Sequence, residues 1–125
     1  MNDRTLLELA ARAAGVKARW FRVNQWRQVG GNKKQTGQED VFGTHHSKPW
    51  NPLTDDGHAL RLAVRLNLDI RYECYDAGVA VIVGGAWDNA PEALHEIFER
   101  DGPSATRRAI VRAAAEIGKS MGGGE

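Results

Sequence analysis

Leu68-Asp69-Ile70-Arg71-Tyr72-Glu73-Cys74-Tyr75-Asp76-Ala77-Gly78-Val79-Ala80-Val81-Ile82-Val83 decides the fold of this chain. Leu68, Ile70, Tyr72 and Cys74 alternate with Asp69, Arg71, Glu73 and Tyr75, the period-two pattern of a half-buried strand. Asp76-Ala77-Gly78 carries turn chemistry, and Val79 to Val83 reads as a second, more deeply buried strand. The two runs predict an antiparallel hairpin over 68–75 and 79–83, broken by Gly84-Gly85. Within this alternation Cys74 reads as a small buried strand residue, not a nucleophile.

Upstream lies Trp50-Asn51-Pro52-Leu53-Thr54-Asp55-Asp56-Gly57-His58-Ala59-Leu60-Arg61-Leu62-Ala63-Val64, a rigid turn leading into a helix. Pro52 fixes its own φ and keeps Asn51 extended. Thr54 is placed to cap the free N–H groups, and Asp55 and Asp56 sit where the helix dipole favours negative charge. Leu60, Ala63 and Val64 follow helical spacing, which predicts a helix over 55–67 with that stripe buried. Residues 3–14 also read as helical, with Thr5-Leu6-Leu7-Glu8 as a capping box and Gly15 as the stop. Leu6, Leu9, Ala10, Ala13 and Ala14 form its apolar stripe.

Downstream, Pro91 to Arg100 reads as a helix with Leu94, Ile97 and Phe98 on one side, or as holding another strand. Gly102-Pro103-Ser104 opens the last helix, whose core stripe is Ile110, Val111, Ala114 and Ile117. Amphipathic helices must bury their stripes, and a short antiparallel sheet is the partner available here. The expected class is therefore α+β, helices packed on a short antiparallel sheet. The lack of repeated βαβ units with glycine-rich turns disfavours a doubly wound nucleotide-binding sheet.

Val16 to Val29, rich in aromatic and branched residues, reads as extended. Trp20, Arg22, Asn24 and Trp26 fall on one face and Phe21, Val23, Gln25 and Arg27 on the other. Gly30 to Lys48 is polar and without periodicity, so a long loop or mobile hairpin tip is expected over 30–48. The chain then reads as a single domain over 1–119, with a flexible tail at 120–125.

Composition supports one core: 125 residues, 42% hydrophobic and 26% charged, are ordinary for a soluble domain. The longest apolar run, Gly78 to Gly84, is far too short to cross a bilayer, and Met1-Asn2-Asp3-Arg4 does not lead into a signal-peptide core. The single Cys74 cannot form an internal disulfide, which fits a reducing cytoplasm. The net charge of +1 hides segregation. No acid stands between Glu8 and Glu39, where Arg12, Lys17, Arg19, Arg22, Arg27, Lys33 and Lys34 are all basic. From Asp69 to Asp101 acids dominate, facing only Arg71 and Arg100. Such asymmetry suits an anion-binding face, or complementary surfaces within one molecule.

His45, His46, Asp55, Asp56 and His58 are an inventory of metal or acid–base groups, but no spacing among them matches an established motif. No cofactor, metal site or catalytic set is expected. Gly30-Gly31-Asn32-Lys33-Lys34-Gln35-Thr36-Gly37 lacks the spacing and closing residues of a P-loop, although a lysine-bearing glycine loop can wrap a phosphate. Arg107 and Arg108 near a helix start are a second anion candidate, or a solvent-facing pair balancing Glu96, Glu99 or Asp101. With 4 tryptophans in the chain, Trp50 reads as an anchor for the helix that follows, and Trp20 and Trp26 lie among the basic residues. Aromatic faces interleaved with Lys and Arg are what nucleobases stack upon. The candidate binding surface is accordingly Arg22, Trp26, Arg27, Lys33 and Lys34, expected to lie close together and to take an anionic partner.

The stretch Trp50 to Leu62 resembles the lead-in to the first helix of the phage α-β-α (ABA) sandwich family, and Ala105-Thr106-Arg107-Arg108-Ala109-Ile110-Val111-Arg112-Ala113-Ala114 resembles its closing helix. The two segments stand in the family's order, spanning roughly Met1 to Lys119, with departures at Gly30–Lys48 and Gly85–Asp101. The resemblance implies a small α-β-α sandwich in a protein encoded by a phage or prophage, and brings no catalytic residue set. A non-catalytic accessory protein of the bacterial cytoplasm that binds a host molecule fits this resemblance, the small size and the missing catalytic motif. Blocking a host-defence protein and sequestering a phosphate-bearing nucleotide signal are both open to it. A nucleic-acid-binding module using the basic segment 12–34 is the alternative, and a small metal-dependent hydrolase a second. Self-association is compatible with either; a membrane is not expected.

Overall fold

The computed structural model describes residues 2–45, 48–85, 94–98 and 100–121. The fold is α+β, with helices packed on a short antiparallel sheet. Its elements are α1 (Asp3–Ala14), β1 (Arg19–Val29), β2 (Asn32–Thr44), β3 (Lys48–Pro49), α2 (Asp56–Arg65), β4 (Leu68–Tyr75), β5 (Gly78–Gly85), β6 (Leu94–Phe98) and α3 (Gly102–Met121). They divide into two compact units, Met1–Lys17 with Asn51–Glu125, and Ala18–Trp50. The stretch 30–48, expected as a long loop, is mostly the strand β2 of the second unit.

The larger unit is built on α3, which packs against β5, β6, α1 and α2. Its strands run in the order β4-β5-β6, all antiparallel. The hairpin of β4 and β5 turns at Asp76-Ala77 and closes on the Tyr75–Gly78 pair. β5 continues through Gly84 and Gly85, which pair with Asp69 and Leu68 instead of breaking the strand. Between Pro91 and Arg100 the strand alternative holds: residues 94–98 pair with β5, whereas Pro91 to Ala93 and Glu99 lie outside the described residues. α3 includes Ser120 and Met121 of the expected tail, and residues 122–125 lie outside the described residues.

Burial follows the α3 stripe. Val81, Val83 and Val111 are fully buried, and Ile110 and Ala114 join them in the core. α1 and α3 pack on each other, and both bury small side chains, Ala10, Ala11 and Ala14 on α1 and Ala109, Ala113 and Ala114 on α3. The approach is so close that a Cβ on Gly118 would stand 2.0 Å from the Leu9 carbonyl oxygen. A glycine there lets two backbones touch.

The caps differ from the sequence reading by one to three residues. α1 starts at Asn2, whose side chain accepts the Thr5 N–H at 2.9 Å, so Thr5 lies inside the helix and not at its cap. Gly15 stops α1 with φ 69°, as expected. α2 is capped by Asp55, which accepts the His58 N–H at 2.8 Å, because the Thr54 hydroxyl turns back to the Asn51 carbonyl. Asp101 likewise accepts the Ser104 N–H at 3.0 Å at the start of α3.

Two burial expectations are corrected. α2 buries Ala59, Leu62 and Ala63, leaving Leu60 at 62% and Val64 at 68% exposure. Two overlapping helical phases exist in this segment, and periodicity alone does not choose between them. Cys74 is exposed, because on its face of β4 only Leu68 and Ile70 are even half-buried, Tyr72 and Cys74 being exposed.

Candidate binding surface

The smaller unit is a two-stranded ribbon with a short third strand at its base. β1 and β2 pair from Arg19↔Gly43 to Val29↔Asn32, and Gly30-Gly31 forms the two-residue turn. Gly30 takes φ 63°, the positive value that a tight hairpin turn needs. Most of the polar stretch read as a loop is a strand because its residues, Thr36 at the register shift apart, are held by pairing with β1, which requires no hydrophobic period. At the base, Trp20 packs on buried Phe42 with ring centroids 4.9 Å apart, and Trp50 meets the other side of Phe42 at 6.1 Å. Trp50 is thus structural, as expected, although what it anchors is the ribbon base. β3 adds Lys48 and Pro49 opposite Thr44 and Gly43.

Beyond this aromatic base the ribbon is exposed on both faces from Arg22 to Val29. Arg22 stands opposite Asp40, its Nε 3.4 Å from the carboxylate and one guanidinium nitrogen 3.4 Å from the Gln38 amide oxygen. Asn24 accepts from both Gln38 and Gln35. A register shift between Gln25 and Trp26 then places Trp26 opposite Gln35, Arg27 opposite Lys34 and Gln28 opposite Lys33. Opposed residues share a face, so Arg22, Trp26 and Lys33 lie on one side and Arg27 and Lys34 on the other. The expectation that all of Arg22, Trp26, Arg27, Lys33 and Lys34 form one patch is therefore revised: they surround the ribbon. Among the described residues Arg27, Lys33 and Lys34 have no ion-pair partner, and Trp26 is 60% exposed.

The histidine and carboxylate inventory is dispersed by structural duties. Asp55 caps α2, and the His58 N–H bond holds its carboxyl below the usual carboxylate range. His58 Nδ1 accepts the Asn51 N–H at 3.1 Å, which makes it part of the turn before α2. Asp56 is engaged by Arg107 at 2.6 Å. Among the described residues no group of His, Cys, Asp or Glu is gathered as metal ligands, and His46 lies outside them. Arg107 and Arg108 are not a solvent-facing pair balancing Glu96 or Asp101. Arg107 bonds Asp56 and the Leu53 carbonyl, Arg108 reaches Asp3 at 3.3 Å, and Glu96 is taken by Arg112 at 2.7 Å.

A concavity that the sequence did not reveal lies in the larger unit. A groove of about 490 Å³ runs between α2, β4 and the start of α3, lined by Ala59, Leu60, Ile70, Tyr72, Pro103 and Ile110. Tyr72, 53% exposed, shares a 2.8 Å hydrogen bond with the Thr106 hydroxyl and meets Phe98 edge-on. The available signal was the second helical phase of α2, since a helix with two apolar phases leaves one unburied. No family model, curated protein or solved structure matches the chain. No helix among the described residues is long and apolar enough to cross a membrane.

Proposed function

We propose that this chain is a non-catalytic binding module that uses the outer part of the β1–β2 ribbon to dock on an acidic surface of a host protein. The observation that carries this reading is Trp26, 60% exposed on a ribbon whose outer cations, Arg27, Lys33 and Lys34, have no ion-pair partner among the described residues. An exposed tryptophan flanked by cations has the composition of an interface anchor, with charge steering the approach. Both faces of the ribbon are open, so it does not enclose a small molecule as nucleotide sites do. A phage or prophage accessory protein of the host-defence-inhibitor type, acting in the bacterial cytoplasm, is the context we favour. It rests on the resemblance of Trp50 to Leu62 and Ala105 to Ala114 to the α-β-α sandwich family.

A second reading, nucleic-acid binding, has one observation in its favour. A two-stranded ribbon fits the major groove of a duplex, and cations on both faces would meet both backbones. So few cations, with Arg22 already paired to Asp40, would give only weak, salt-sensitive attachment. Capture from host lysate, run beside a duplex DNA oligonucleotide, separates the two readings. The first expects a host protein retained by the native chain and lost from both Trp26→Ala and Lys33→Glu/Lys34→Glu, with no duplex retained at physiological salt. Retention by all forms would remove the ribbon from the function.

A further inference from the structure

The open edge of the larger unit's sheet carries an inference independent of the ribbon. β4 is the outer strand in the order β4-β5-β6, and no other strand pairs with its free side among the described residues. The hairpin determines which backbone groups face outward. In a two-residue hairpin the pair that flanks the turn is hydrogen-bonded, so Tyr75, Glu73, Arg71 and Asp69 direct their N–H and C=O groups to β5. Leu68, Ile70, Tyr72 and Cys74 therefore turn theirs away from the sheet. Such an edge is a template for another strand.

We infer that a second copy of this chain occupies that edge, β4 against β4 in antiparallel register about a two-fold axis at Tyr72, joining two sheets into one of six strands. Only registers that set outward-facing residues opposite each other can form the ladder. Of these, the one with Tyr72 opposite Tyr72 is the longest that avoids like charges. It pairs Arg71 with Glu73 twice, Ile70 with Cys74 twice, and Asp69 with Tyr75 twice. Sliding by one allowed step toward Leu68, with an overlap of the same length, sets Arg71 against Arg71 and Asp69 against Glu73, like charges in every charged rung. Sliding the other way sets Glu73 against Glu73 and shortens the ladder.

The groove supports the same occupant. Leu60, Tyr72 and Ile70 line it, and Leu60 and Val64 on α2 stand exposed. Tyr72 sits on the helix-bearing face of β4, so the two-fold axis brings both grooves together on that face. Apolar side chains left open by each copy are then covered by the other. An isologous contact needs this self-complementarity, and the strand supplies it in its charges and in its apolar face.

Sedimentation of the full chain tests the contact. The native chain is expected to run at twice its monomer mass in a concentration-dependent manner. Arg71→Glu and Glu73→Arg each convert two attractive rungs into repulsive ones, and should each weaken the dimer by about tenfold or more. The double variant Arg71→Glu/Glu73→Arg restores the opposite-charge rungs and should recover the native mass distribution. Arg71→Gln and Glu73→Gln provide milder versions, with circular dichroism checking that each variant folds. A native chain that stays monomeric at millimolar concentration overturns the inference. So does a dimer indifferent to the single reversals, which another surface must hold, or a double variant no better than the singles.

Discussion

Arg107 and Asp56 stand 51 positions apart in sequence, and the guanidinium of one lies 2.6 Å from the carboxylate of the other. The same arginine donates from Nε to the Leu53 carbonyl at 2.8 Å, which fastens the turn before α2 to the second turn of α3. The two partners differ in environment: the Arg107 side chain is 19% exposed and that of Asp56 79%. A largely solvated carboxylate contributes little through charge.

The bond to Leu53 should therefore outweigh the ion pair. Arg107→Met is expected to lower unfolding stability by about 1–3 kcal/mol, because it leaves a part-buried carbonyl without its donor. Asp56→Asn should change stability by less than about 1 kcal/mol. Urea unfolding of both variants decides the matter. Equal losses would mean that the ion pair itself holds the turn.

Gly118 gives a second stability prediction. Alanine is normally the better helix former, by about 1 kcal/mol over glycine. Here its Cβ would lie 2.0 Å from the Leu9 carbonyl oxygen, and backbone cannot step aside as a flexible side chain can. Gly118→Ala should thus separate α1 from α3 and destabilise the unit by about 1–3 kcal/mol despite the propensity gain. A thermal melt unchanged or raised by this substitution would show that the two helices have room to spare.

The elements legible in the sequence were those whose burial imposes a period. The β4–β5 hairpin, α1 and α3 follow from Leu68 to Val83, Leu6 to Ala14 and Ile110 to Ile117, since each presents one apolar face to one core. β2 was illegible because Asn32 to Gln38 is polar on both faces, and its extended form comes from partner hydrogen bonds. The buried face of α2 was ambiguous, since Leu60 and Val64 fit a helical stripe as well as Ala59 and Leu62 do. In the candidate surface, the residue types were legible and their grouping was not. The register shift after Gln25 exchanges the faces of the outer β2 residues, which sends Lys34 to the side of Arg27 and Lys33 to that of Trp26. Charge runs do not encode a bulge.

The cap of α2 should give the larger unit an acid-sensitive step. Asp55 is held below its ordinary pKa, first by the His58 N–H bond, which with nearby charge and the Gly57 N–H bond outweighs desolvation. A carboxyl depressed in the folded state contributes its full stabilisation above the unfolded pKa and loses it as pH falls through the folded one. Acidification below the usual carboxylate range should therefore weaken the native chain more than Asp55→Asn, whose amide oxygen still caps but does not titrate. Melting temperatures measured from neutral to strongly acidic pH should converge for the two proteins at the acid end. Parallel curves throughout would remove Asp55 from the acid response.

The ribbon allows folding and binding to be pulled in opposite directions by one substitution. Arg27 and Lys34 are opposed across the strands, and like charges in that position are destabilising. Lys34→Glu would turn this repulsion into a cross-strand ion pair and should tighten the outer rungs by about 0.2–1 kcal/mol. Slower hydrogen exchange of the amides near Arg27 and Lys34 would report it. The same change reverses a charge on the surface proposed to meet an acidic partner, so capture of that partner should fall while the ribbon becomes more rigid. Arg27→Glu should behave alike, since it makes the mirror-image pair. A native surface that tolerates its own repulsion is what a docking role would explain, because the partner's acids relieve it on contact. If Lys34→Glu stiffens the ribbon and leaves capture intact, the repulsion has no bearing on binding, and the docking surface lies away from these rungs.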